Sequence, residues 1–205
     1  MKIKICGMRD KDNIIQILSL KPDFIGFIFY EKSPRFVNYL HDFSEIQFDS
    51  KVKKTGVFVN ANEQEIMQKV KMYDLQAVQL HGNELPSLCN TLKARGLIVI
   101  KAIQIYSQED FKEIDAYSSY IDYFLFDTKT KLYGGSGEKF DWSVLKEYKL
   151  ETPFFLSGGL DIDDIDNIKQ FNHPKLIGID LNSKFELSTG IKDYNKLQKF
   201  IKQIL

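Results

Sequence analysis

Short apolar runs recur along the chain, each followed by a longer stretch that mixes polar and apolar positions. They lie at 3–6, 24–29, 55–59, 77–80, 98–103, 123–126, 153–156 and 176–181, eight in all. Several are almost wholly apolar rather than alternating, the pattern of parallel strands covered on both faces. β-branched and aromatic residues dominate them, which favours strand over helix. The stretches between carry helix signals. Residues 62–72 open on Asn62, a good N-cap, with Glu63 and Glu65 in the first turn, and Ile66, Val70 and Tyr73 mark one face. Residues 84–95 stop before Gly96, residues 161–170 open on Asp161, and residues 191–204 repeat Leu197, Ile201 and Leu205 at helical spacing. Eight alternations of strand and helix predict a closed α/β barrel, the (βα)8 or TIM-barrel class, as one catalytic domain over residues 1–205. An open doubly wound sheet is the competing architecture.

Length and composition fit this picture. At 205 residues the chain accommodates one such barrel and not two. Lys plus Arg equals Asp plus Glu, 28 each, so no net charge argues for a nucleic-acid or membrane partner. A small anionic ligand remains compatible with that balance. The two cysteines, Cys6 and Cys89, lie far apart and match neither a disulfide framework nor a metal site. The first six residues are too short and too charged for a signal peptide. No apolar run approaches the ~18 residues of a membrane span, so the cytoplasm is the expected compartment.

In a barrel of this class the site gathers at the C-terminal ends of the strands. Reading the residue that closes each run gives Cys6-Gly7, then Ser33-Pro34-Arg35, Asn60, His81-Gly82, Asp127, Ser157-Gly158-Gly159, and Asp180 with Asn182-Ser183. A thiol, a carboxyl, an imidazole, a guanidinium and two phosphate-sized loops converge on one rim. Gly158 and Gly159 precede a helix start, where bare N–H groups and the helix dipole attract an anion. They serve equally as a tight turn. Gly134 to Gly137, a second flexible segment, is a lid or cleft element or a plain linker. Taken singly, Cys6 reads as a small buried hydrophobe, Asp127 as a cap or ion-pair partner, Arg35 as a surface charge and His81 as a structural histidine.

Taken together these segments resemble one family throughout their length. Lys4-Ile5-Cys6-Gly7, Gly26-Phe27-Ile28-Phe29 with Ser33-Pro34-Arg35, Gly56-Val57-Phe58-Val59-Asn60, and Val78-Gln79-Leu80-His81-Gly82 with Glu84 are similar to motifs of the phosphoribosylanthranilate isomerases. So are Phe126-Asp127-Thr128, Gly134-Gly135-Ser136-Gly137 with Phe140-Asp141-Trp142, Leu156-Ser157-Gly158-Gly159-Leu160, and Gly190-Ile191-Lys192-Asp193. The resemblance implies an Amadori rearrangement of N-(5′-phosphoribosyl)anthranilate in tryptophan biosynthesis, without cofactor or metal. It implies Cys6 as general base and Asp127 as general acid. It implies Arg35 as the partner of the anthranilate carboxylate. Gln79, His81, Gly135, Gly158, Gly159, Asp180, Asn182, Ser183 and Lys184 are expected around the phosphorylated substrate. The chemistry is coherent: a protonated Asp127 opens the ribose ring, and a thiolate removes the C2′ proton of the resulting Schiff base. Apolar neighbours and an anionic substrate are expected to favour the protonated acid.

One departure stands out. Lys184 occupies the place of a usual glycine after the eighth strand, and a non-glycine residue in the left-handed region there would cost about 1 kcal/mol. Its ammonium is expected to compensate by reaching the phosphate. Asp180 has the wrong sign for that anion and is expected to orient donors instead. Related phosphate-binding barrels are the nearest rivals, among them indole-glycerol-phosphate synthase and a histidine-pathway isomerase, and a catalytically silent phosphosugar binder is another. The isomerase of the histidine pathway resembles a duplicated half-barrel with two aspartates, and no internal repeat is present here. A monomer is expected in preference to a homodimer.

Overall fold

The computed structural model describes residues 1–38, 41–105, 107–127 and 142–205. Eight parallel strands close into a barrel in sequence order. They are β1 (Lys2–Ile5), β2 (Phe24–Ile28), β3 (Lys53–Phe58), β4 (Ala77–Leu80), β5 (Ile98–Gln104), β6 (Tyr123–Asp127), β7 (Phe154–Ser157) and β8 (Leu176–Leu181). Each matches one of the eight expected runs. Closure is completed by β1 pairing with β8, Lys4 opposite Asp180 and Ile5 opposite Leu181.

The near-continuous apolarity has a direct structural cause. Outward positions such as Ile3, Ile5, Phe27, Phe58, Val78, Leu80, Phe124, Phe126, Phe154, Leu156 and Ile179 join the layer between the barrel and its covering segments. The other faces of the strands enclose a second, smaller cluster of Phe24, Ala77, Ile100, Ala102, Leu125 and Phe155. Both faces exclude water, so neither needs polar residues. Inside, Phe24, Tyr123 and Phe155 meet edge to face with centroids 5.4 to 6.1 Å apart.

The covering layer is less regular than eight even alternations. The α-helices are α1 (Lys11–Leu18), α2 (Glu63–Tyr73), α3 (Pro86–Ala94), α4 (Phe111–Ile114), α5 (Ile165–Gln170) and α6 (Tyr194–Ile204). Among the described residues no helix joins β2 to β3, and only a 3-10 segment, Trp142–Glu147, lies between β6 and β7. Helix α2 starts as its sequence predicts, because Asn62 and Glu65 cap each other reciprocally. The expected helix 84–95 starts later. Leu85, which precedes a proline, is extended, so the helix begins at Pro86 and Glu84 stays in the loop. The stretch 161–170 opens as the 3-10 turn Ile162–Asp164 before α5. The expected helix 191–204 starts at Tyr194. Asp193 caps it by accepting from the Lys196 N–H, and Ile191–Lys192 form a strand, β10, antiparallel to β9 (Glu186–Ser188). Helix α1 is not one of the four stretches named from the sequence, although the Asp10 cap and the buried Ile14 and Ile17 mark its start and inner face.

Candidate active site

Strand alternation decides which side chains enter the barrel. Residues two apart on a strand share a face, and so do residues in register on neighbouring strands. Lys4 lies opposite Asp180, Gln79 opposite Ile100, Leu125 opposite both Ala102 and Phe155, and Asp127 opposite Ser157. Lys4 with Cys6, Gln79 with His81, and Leu125 with Asp127 therefore face the interior, with the chemistry at the C-terminal end of each strand. The rim expected from sequence is thus assembled by register.

Cys6 is buried at the mouth of β1, and its backbone N–H donates to the Leu181 carbonyl at 2.9 Å. Its thiol rests on Gly26: a Cβ at Gly26 would fall 2.8 Å from Sγ. Burial pushes the Cys6 thiol above its ordinary value, although the ammonium groups of Lys4 and Lys192 pull it down. The resting group is therefore the thiol, and the base form must be generated. Lys4 is wholly buried with Nζ 2.8 Å from Asp180 Oδ1. Burial works against its charge, but Asp180 and Cys6 more than offset this and its pKa is raised.

Arg35 leans over Gly7, where an added Cβ would lie 2.6 Å from its Cδ. Only glycine leaves that room, and with φ +79° only glycine takes the turn without strain. The guanidinium is held by Glu186 through two bonds, Nε to Oε1 at 2.7 Å and Nη2 to Oε2 at 2.5 Å. Lys192, fully buried on β10, donates to Glu186 Oε1 at 2.7 Å and Asn182 Oδ1 at 2.8 Å. Burial alone would raise Glu186, but its bonds to Arg35 and Lys192 hold its carboxyl below the usual range. Asn182 is thereby tied to the Arg35 side of the mouth.

Across the barrel, Asp127 Oδ2 lies 3.5 Å from His81 Nε2, and His81 Nδ1 lies 3.0 Å from Gln79 Nε2. Gln79 Oε1 is buried with no hydrogen-bond partner among the described residues. The loop that carries His81 is fixed by Glu84, which accepts from the N–H groups of Asn60 and Gly82 and pairs with buried Lys101 at 3.0 Å.

After β7, Gly158 and Gly159 adopt φ of +97° and +69°. Space around a Gly159 Cβ is open, so conformation and not crowding requires glycine there. After β8, Ser183–Phe185 form one 3-10 turn. Lys184 is exposed and has no positive φ, so the strain expected for replacing glycine does not arise. The tie across these loops comes from Lys196 on α6, which donates to the Lys184 carbonyl at 2.6 Å and pairs with Asp161 Oδ1 at 2.7 Å. Asp180 turns into the barrel, where Lys4 and the Ser157 hydroxyl, 3.4 Å away, are its partners. Gly135 lies outside the described residues.

Sequence reasoning chose the rim and missed the cations beneath it. Lys4 had a signal, since a lysine in an interior strand position needs a partner. Lys192 figured only as part of the Gly190-Ile191-Lys192-Asp193 motif, with no role attached, and Lys196 had no signal, because only the folded chain brings them to the mouth. Among the described residues no group of three or more His, Cys, Asp or Glu is placed to hold a metal, and no helix is long and apolar enough to cross a membrane.

The comparisons point one way. Residues 3–203 match the family model described as N-(5′-phosphoribosyl)anthranilate (PRA) isomerase. A relative of that name from Parabacteroides distasonis is 49% identical, with 100% of this chain and 94% of the relative aligned. The fold resembles the crystal structure of phosphoribosyl anthranilate isomerase from Thermotoga maritima, with a TM-score of 0.88, 32% identity, and coverage of 100% and 98%. It also resembles a structure of that enzyme in complex with reduced 1-(o-carboxyphenylamino)-1-deoxyribulose 5-phosphate, at a TM-score of 0.84 and 28% identity, with coverage of 100% and 98%. An eight-stranded barrel, a rim carrying Cys6, Arg35, His81 and Asp127, and a family match over nearly the whole chain lead to one assignment: the chain belongs to the N-(5′-phosphoribosyl)anthranilate isomerase family.

Proposed function

We propose that the chain, acting as one catalytic unit over residues 1–205, isomerises N-(5′-phosphoribosyl)anthranilate to 1-(2-carboxyphenylamino)-1-deoxyribulose 5-phosphate in tryptophan biosynthesis. Asp127 protonates the ribose ring oxygen as the C1′–O bond breaks and the nitrogen lone pair forms the Schiff base. The Cys6 thiolate removes the C2′ proton, and the resulting enolamine tautomerises to the ketone. Each positioned acid or base of this kind contributes typically ~10²- to 10⁴-fold. Arg35 receives the anthranilate carboxylate, and the phosphate occupies the loops after β7 and β8, between Gly158, Gly159 and the Asn182–Ser183–Lys184 segment.

The observation that carries this reading is the placement of Cys6, Arg35 and Asp127 at one mouth. Cys6 adjoins Gly7, on which Arg35 rests, while Asp127 comes from a strand on the opposite wall. A bound aryl carboxylate would then bring the amino-sugar between acid and base. The Asp127–His81–Gln79 chain supports the acid role. With Gln79 Nε2 donating to Nδ1, the neutral ring presents Nε2–H to an Asp127 carboxylate. Rotating the Gln79 amide by half a turn gives its unpartnered Oε1 the Nδ1–H, and Nε2 then accepts from protonated Asp127. His81 and Gln79 so accommodate both protonation states.

A coupled assay tests the reading. Anthranilate, phosphoribosyl pyrophosphate and the phosphoribosyl transferase generate the substrate in place, and anthranilate-type fluorescence reports its loss. No acceleration over the transferase-only control overturns the assignment. We also propose a cytoplasmic monomer. The exposed large apolar side chains Ile15, Met72, Leu85 and Leu187 lie on separate elements, and light scattering at the dimer mass would reject the monomer.

A further inference from the structure

The barrel interior contains an ion pair that the mechanism above does not use. Lys4 and Asp180 occupy a region otherwise lined by Phe24, Ile100, Leu125 and Phe155, with Lys4 completely buried and Asp180 nearly so. Such a pair is a poor way to stabilise a core, because the desolvation of both charges offsets most of their attraction and an apolar pair of similar volume does as well or better. Its position is what distinguishes it. Lys4 lies on β1 two residues before Cys6, whose N–H continues the ladder to the Leu181 carbonyl, so strand alternation puts the two side chains on the same face. Its ammonium has three donors, of which one is committed to Asp180 at 2.8 Å. The Lys4 ammonium and the Cys6 sulfur influence each other's charge, the cation favouring the thiolate and the thiolate favouring the cation.

We propose that Lys4, oriented by Asp180, is the positioning residue that makes Cys6 available as a thiolate. The inference rests on the reading of Cys6 as the base. A buried thiol in an apolar barrel would otherwise stay protonated, since burial alone disfavours its charged form. Lys4 opposes this from below, within the low-dielectric interior where an adjacent cation acts most strongly. The charged groups around Cys6 come from four directions: Lys4 on β1, Asp180 on β8, Lys192 on β10 with Glu186 on β9, and Arg35 after β2. Arg35 is matched by Glu186, which Lys192 shares, so two cations there face one carboxylate. Lys4 is the cation that shares a strand face with the thiol, and Asp180 tempers its effect.

These signs separate an electrostatic role from a structural one. The thiolate absorbance near 240 nm is titrated in the free enzyme, in a Cys89→Ala background that removes the other thiol. Lys4→Met should move the Cys6 titration to higher pH by about one unit or more, and Lys4→Arg should keep most of the wild-type position. Asp180→Asn should move it to lower pH, because the opposing charge is gone and the ammonium turns wholly to sulfur. The pH profile of kcat/KM in Lys4→Met should shift its rising limb by the same amount as the absorbance. Lys4→Gln, which keeps a hydrogen bond to Asp180, replaces Lys4→Met if that variant does not fold, and the Asp180→Asn arm decides if neither folds. An unmoved titration in folded Lys4→Met or Lys4→Gln, or a shift to higher pH in Asp180→Asn, overturns the proposal. Because the absorbance needs no substrate, it stands apart from the test of Cys6 as base, which is turnover by Cys6→Ser.

Discussion

Gly26→Ala should disable the base without touching any polar group. The added Cβ would sit 2.8 Å from Cys6 Sγ, 3.1 Å from Cys6 Cα and 3.3 Å from Cys6 Cβ. All three neighbours belong to one residue, and one of them is backbone, so a rotamer change cannot relieve the clash. Ordinary contact requires the thiol to recede by roughly half an ångström, and β1 with it, in an interior packed like a crystal. Overpacking of this kind costs about 1–3 kcal/mol. For a chain of this size that corresponds to a fall in Tm of roughly 2–12 °C. A reacting group displaced by a sizeable fraction of an ångström can cost up to ~10²-fold in rate, which sets the expected loss in kcat. Gly96→Ala supplies the control. Gly96 has φ +82° with nothing within 4 Å of an added Cβ, so that variant should lose about 1 kcal/mol from backbone strain and keep its kcat. Calorimetry and the coupled fluorescence assay read both numbers. Wild-type kcat in Gly26→Ala, or an equal loss of kcat in Gly96→Ala, would refute the claim that Gly26 exists to seat the thiol.

Cys6→Ser should keep its Tm within a few degrees and lose turnover by orders of magnitude, since a hydroxyl is a far weaker base; near-normal turnover removes Cys6 from the mechanism. Cys89→Ala, at a buried position on α3, should change stability only, by roughly 1–3 kcal/mol in denaturant titrations. Arg35→Met should chiefly raise KM, whereas Asp127→Asn should chiefly lower kcat in steady-state assays, and the reverse split would exchange their roles. Since Lys184 has no positive φ, Lys184→Gly should bind inorganic phosphate no better than Lys184→Ala; Lys196→Met, which cuts the tie between the two loops, should raise KM more than either. Tighter phosphate binding by Lys184→Gly would restore backbone strain as the explanation.

Much of the scaffold was legible in the linear chain because it depends on local periodicity. Strands covered on both faces must be apolar throughout, so the runs containing Phe24–Ile28 and Leu176–Leu181 announced themselves, and Asn62 announced a helix start. The rim was legible too, since a parallel barrel sends every strand's C-terminal end to the same side and Cys6, His81 and Asp127 close their strands. Boundaries set by competition were not: a proline moved the start of α3 to Pro86, and pairing with Glu186–Ser188 took Ile191–Lys192 from the expected last helix. Nor was the electrostatic floor of the site. Asp180 looked like a neighbour of the phosphate, yet register places it against Lys4, 176 residues earlier in the chain, while Lys192 and Lys196 reach Glu186 and Asp161 only after closure. Periodicity is a property of neighbours along the chain, whereas the charge around a thiol is set by which distant strands and loops share its interior.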